Sequence, residues 1–66
     1  MASVKRGKHL RKLRKSAGLS INDMGRAMGV DRSAVSHWER GMCRPRDLVR
    51  YARAVKVSVE TVLAAG

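Results

Sequence analysis

The segment INDMGRAMGVDRSAVSHWER, Ile21 to Arg40, constrains this chain more than any other. It consists of two short amphipathic stretches hinged at Gly29. In the first, Met24, Ala27 and Met28 fall on one helical face; in the second, Ala34, Val35 and Trp38 do the same. Ser20 is placed to cap the first stretch, with Asp23 three residues later completing a capping box. Asp31 is placed to cap the second.

The rest of the chain reads as helix too. Proline occurs once, no strand-like alternation is bounded by turn pairs, and apolar residues recur at helical spacing in nearly every segment. A first helix is expected from about Val4 to Ala17, with Leu10, Leu13 and Ala17 on one face, Lys5, Lys8, Arg11, Lys12 and Lys15 over the remainder, and Gly18 as its stop. Pro45 can open a fourth helix, since a first-turn residue needs no N–H, and Leu48, Ala52 and Val55 give that helix a buried stripe. Ser58 begins a short fifth helix carrying Val59, Val62 and Leu63. With no repeat, linker or low-complexity segment, the expected fold is one all-α domain over residues 1–66.

Charge and length then exclude most functions. Fifteen Lys and Arg against five Asp and Glu leave a net charge of +10, which calls for an anionic partner, either nucleic acid or an acidic lipid surface. Seven of the basic residues and no acid fall in the first fifteen positions. A chain of 66 residues buries too little surface for a large cleft, so no cofactor or small-molecule ligand is expected. Five acids and two histidines offer no arrangement of acid, base and nucleophile, and an enzyme is not expected. His9, His37 and Cys43 lack the spacing of a zinc site. One cysteine, no apolar run near the ~18 residues of a spanning helix and no apolar block at the start read as a soluble cytoplasmic protein without membrane attachment. Trp38 and Tyr51 are the sole aromatics, too few for a base-stacking platform, and the spacing of Trp38 from Val35 assigns it to the core.

On these residues, Ile21 to Arg40 resembles the twenty-residue helix-turn-helix of the Cro and lambda-type phage repressors, the XRE family. Gly25 matches the small residue where the two helices cross, and Gly29 the turn position that needs positive φ. Met24, Met28, Val30, Val35 and Trp38 match the hydrophobic positions. Leu10, Leu13 and Arg14 match the first helix of the family. WERG at Trp38 to Gly41, with Arg44 and Pro45, matches its loop, and DLVRYARAVKVSVETVL its last two helices. The resemblance covers about Val4 to Leu63. It implies a compact five-helix, lambda-repressor-like domain, with the helix-turn-helix at residues 20–40 and the third helix in the major groove of double-stranded DNA.

Counting from Asp31 as the cap puts Arg32 and Ser33 in the first turn of that helix and Ser36 and His37 one turn later. These four are the expected base readers, Arg32 suited to guanine O6 and N7, His37 to guanine N7 or thymine O4. The resemblance implies phosphate contacts from Asn22, Arg40, Arg44 and Arg46, and an ion pair between Arg14 and Glu39 that orients the reading helix. Ile21 departs from the pattern, because many relatives carry there a glutamine that bonds phosphate. Either Asn22 or the Ser20 region replaces that contact, or Ile21 touches sugar or packs on the first helix.

The function implied is repression by occupying a pseudo-palindromic operator as a homodimer, with reading helices about 34 Å apart. Apolar residues near the C-terminus exceed what a small core buries, so Tyr51, Val57, Val59 and Leu63 are the expected dimer contact. A restriction-modification controller or an antitoxin would share this pattern. A sequence-nonspecific nucleic-acid binder would share the charge but need neither the turn glycine nor the four readers.

Overall fold

Local hydrogen-bonding chemistry fixes where each helix starts and stops. A computed structural model describes residues 4–64, in which five helices follow one another: α1 (Val4–Ser16), α2 (Ile21–Met28), α3 (Arg32–Glu39), α4 (Leu48–Ala54) and α5 (Val59–Leu63). No strand occurs among the described residues. Ser20 and Asp23 form the reciprocal box at the start of α2: the Asp23 amide donates to Ser20 Oγ at 3.0 Å, and the Ser20 amide to Asp23 Oδ2 at 3.2 Å. The Ser20 amide's hydrogen bond, foremost, holds the Asp23 carboxyl below the usual carboxylate range. Asp31 caps α3 by accepting from both the amide and the hydroxyl of Ser33, and Ser58 caps α5 by accepting from the Thr61 amide.

The start of α4 differs from expectation. Pro45 does not open it; Pro45 is buried in the preceding loop, and Asp47 caps the helix by accepting the Arg50 amide at 3.0 Å. A free carboxylate satisfies an orphan N–H outright, whereas proline only avoids having one, so the cap sets the boundary.

Leu10, Met24, Met28, Val35, Trp38, Tyr51, Ala52, Val55 and Val62 make up the core, drawn from all five helices and the turn after α4. Trp38 and Tyr51 meet edge to face, with ring centroids 6.0 Å apart at 70°. Tyr51 is fully buried, and its hydroxyl donates to the Leu10 carbonyl at 3.0 Å, so this residue is a pillar between α4 and α1 rather than a contact for a second copy. Burial pushes its phenol well above the ordinary tyrosine range. His9 ties α1 to α5 through a 2.7 Å hydrogen bond to the Thr61 carbonyl.

Lys56, just past α4, takes φ of +59°, a conformation that L side chains rarely hold. Two bonds close the turn around it, the Lys56 amide to the Arg53 carbonyl and the Val57 amide to the Ala52 carbonyl. Lys56→Gly is expected to stabilise the fold by about 0.5 kcal/mol, a gain of about 2–4 °C in Tm. A thermal melt showing an unchanged or lower Tm would contradict that assignment of strain.

Candidate nucleic-acid interface

Two glycines let α3 stand out from the body. A Cβ on Gly25 would lie 2.9 Å from the Val30 carbonyl oxygen, so a hydrogen at this position allows α2 to close on the chain entering α3. Gly29 adopts φ of +67° at the end of α2, which turns the chain between the two helices. Arg50, which the sequence did not single out, clamps this turn: its Nε donates to the Ala27 carbonyl at 2.7 Å, and its guanidinium passes over Gly29. Its spacing from α2 is long-range, so no local pattern announces it.

The inward face of α3, Val35 and Trp38, is buried, which forces Arg32, Ser33 and His37 outward, with Ser36 half-buried beside them. An open groove of about 630 Å³ runs along this outer face. It is lined by all four of these residues together with Arg14, Ser20, Ile21, Asn22 and Arg40. No carboxylate lines it, and Arg32 and Arg40 give it positive charge. Such a groove offers hydrogen-bonding groups and cations to an anionic ligand.

Individual side chains within it are already partly committed. Ser33 Oγ donates its proton to Asp31 Oδ2 at 2.6 Å, which leaves the hydroxyl as an acceptor. That bond is the leading cause of an Asp31 carboxyl held below the usual range. Ile21, where the sequence departs from the family pattern, is half-buried and packs against the core while also lining the groove.

Arg14 and Glu39 lock α3 to α1. Arg14 Nε donates to Glu39 Oε2 at 2.6 Å, Nη2 to Oε1 at 3.1 Å, and Nη1 to the Leu19 carbonyl at 2.8 Å. Both side chains are over nine-tenths buried. The hydrogen bond to Glu39 raises Arg14 above its ordinary value, so the guanidinium stays charged at neutral pH.

The arginines expected on phosphate do not gather in one place. Arg40 lines the groove with Asn22, whereas Arg44 and Arg46 line a separate concavity with Met28, Val30, Ala34, Trp38, Cys43 and Asp47. Of the residues expected at a dimer contact, Tyr51 is in the core, Val57 and Val59 are half-buried, and Leu63 is exposed. Val49 on α4 is also exposed, an apolar position that the sequence pattern does not single out.

Residues 7–65 match a family described as a helix-turn-helix domain. Comparison with curated proteins gives no match. Solved structures similar to this chain include the restriction-modification controller protein C.AhdI from Aeromonas hydrophila, at 33% identity and a TM-score of 0.79 over 89% of this chain and 92% of that one. The P22 c2 repressor in complex with synthetic operator 9T aligns at 27% identity and a TM-score of 0.81, covering 92% and 96%. SinR, described as a master regulator for biofilm formation and solved in complex with DNA, aligns at 28% identity and a TM-score of 0.75, covering 88% and 97%.

Proposed function

The chain belongs to the helix-turn-helix domain family, of the Cro and lambda-repressor type, and from that premise we propose that it is a sequence-specific repressor that binds operator DNA as a homodimer. The observation that carries the reading is the groove itself. Arg32, Ser33 and His37 face outward from one short helix, with Ser36 half-buried beside them, and Asn22 and Arg40 line the same groove. A helix of eight residues fits the major groove, its first turn toward base edges and its flanking groups toward phosphate. Arg32 pairs with a guanine, Ser33 accepts from a base amino group, and Asn22 and Arg40 hold the backbone, while Arg44 and Arg46 reach phosphate farther along the loop side. Exposed Val49 and Leu63, together with half-buried Val57 and Val59, supply the apolar groups through which two copies meet.

Selection of bound sites from a random DNA library tests the reading. A symmetric site with half-sites about one helical turn apart is expected, bound by two copies in sedimentation. On that site Arg32→Ala is expected to cost about 1–3 kcal/mol and to erase preference at one base pair of each half-site. Arg40→Ala weakens all duplexes alike and flattens the salt slope by about one unit. Enrichment of no sequence, or equal loss from Arg32→Ala on every duplex, would leave only a nonspecific binder. The 33% identity to C.AhdI favours a restriction-modification controller as the second reading, with the same interface and a different regulated gene.

A further inference from the structure

Three adjoining concavities run along one side of the molecule. The groove on α3 shares Arg14, Ile21, Ser36 and Arg40 with a cleft of about 260 Å³ that Arg11 and Glu39 also line. Arg11 in turn borders a shallow surface of about 590 Å³ formed with Lys8, Lys12, Lys15 and Ser16. The four cations sit at i, i+3, i+4 and i+7, which places them on one face of α1, and all four are exposed. The helix's long apolar residues in this stretch, Leu10 and Leu13, are turned into the core.

That surface therefore presents charge with nothing apolar to insert into a bilayer, which suits a phosphate backbone better than a membrane. Through Arg11 it joins the cleft that adjoins the reading groove, which links it to the proposed DNA contact. The rim there lacks a partner for phosphate at Ile21, and of the two α1 arginines lining the cleft beside it, Arg14 is committed to Glu39 and Leu19 while Arg11 is exposed. Lys8 to Lys15 extend about 10 Å along the helix, comparable to about three phosphates of one strand.

Resting on the reading of this chain as an operator-binding protein, we propose that Lys8, Arg11, Lys12 and Lys15 form a second phosphate-binding surface. It grips the backbone of the same duplex beside the site read by α3, and Arg11 takes the contact that Ile21 cannot make.

The test is the salt dependence of binding by the full chain to a duplex carrying the selected site and one helical turn of flanking DNA on each side, measured by fluorescence anisotropy across a KCl series. Lys8→Gln/Lys12→Gln/Lys15→Gln is expected to flatten the slope of log K against log salt by about 2–3 units while leaving the ratio of specific to nonspecific binding unchanged. The corresponding triple Lys→Arg variant restores the slope. Arg26→Gln/Arg53→Gln/Lys56→Gln, with the same net charge removed elsewhere, changes it by less than about one unit. Equal slopes for the two glutamine variants would overturn the proposal, as a pure net-charge effect. An unchanged slope in the α1 variant would do so too, including the case where the wild-type protein binds phosphatidylglycerol vesicles through these lysines. Failure of the underlying reading looks different: the wild-type chain itself then shows no preferred site.

Discussion

Glu39→Ala is expected to remove about 3–5 kcal/mol of folding stability, because it strands the Arg14 guanidinium in the interior without its counter-charge. Arg14 is 6% exposed, and its three bonds join α1 to α3 and to the chain entering α2. At about 0.05–0.15 kcal/mol per residue a domain of this size holds about 3–10 kcal/mol in total, so the variant should lie close to its unfolding midpoint in water. Urea titration followed by Trp38 fluorescence reads this directly, since Trp38 is the single tryptophan and lies one residue away on the same helix. The pair's dependence on pH has a definite sign on the arginine side. A group raised in the folded state gives its full contribution below its unfolded-state value and loses it only as pH climbs through the higher folded-state value, so no loss from Arg14 is expected across the neutral range. Replacing both partners together, Arg14→Met with Glu39→Leu, is expected to recover most of the loss, because no unpaired charge remains. A single variant that loses less than about 1 kcal/mol would mean that the pair behaves as a solvated surface bridge.

The features that sequence made legible are those whose cause lies within a few residues. Ser20 with Asp23, Asp31 with Ser33, and Gly29 at the turn are all decided by neighbours in the chain, and each stands where its spacing put it. The beginning of α4 was misplaced because two local signals competed, Pro45 and Asp47, and the direct hydrogen bond from the Arg50 amide won. Tyr51 reads as a surface contact from its polar tip although Leu48, Tyr51, Ala52 and Val55 follow i, i+3, i+4 and i+7; the acceptor that satisfies that tip, the Leu10 carbonyl, lies 41 positions away. The outward face of α3 followed from the burial of Val35 and Trp38. Which arginines share its groove did not, because the loop from Arg40 to Asp47 buries Pro45 near Leu10 and Val62, residues distant in the chain.

Gly7→Ala poses the same local-against-distant contest in its sharpest form, and a net loss of about 3 kcal/mol is expected. Judged locally the change should help, since alanine in a helix interior is favoured over glycine by about 1 kcal/mol. Judged in three dimensions, the added Cβ would lie 2.3 Å from the Glu39 carbonyl oxygen and 2.7 Å from the Gly41 nitrogen. Both are backbone atoms at the end of α3, held by the Arg40 and Gly41 amides bonding back to Ser36 and Trp38, so no side-chain rotation relieves the clash. Accommodation requires α1 to back away from α3, which stretches the Arg14 to Glu39 bonds and the Tyr51 to Leu10 bond together and tilts the face that carries Arg32. Gly18→Ala is the informative comparison. Nothing lies within 4 Å of its Cβ, and the cost there is the φ of +74° alone, about 1–2 kcal/mol. The expected order of stability, from thermal melts of the three proteins, is therefore wild type above Gly18→Ala above Gly7→Ala, with DNA affinity at low temperature reduced by Gly7→Ala alone. If Gly7→Ala matched or exceeded the wild-type Tm, the close crossing of α1 over the end of α3 would be wrong, and with it the argument that α1 sets the orientation of the reading helix.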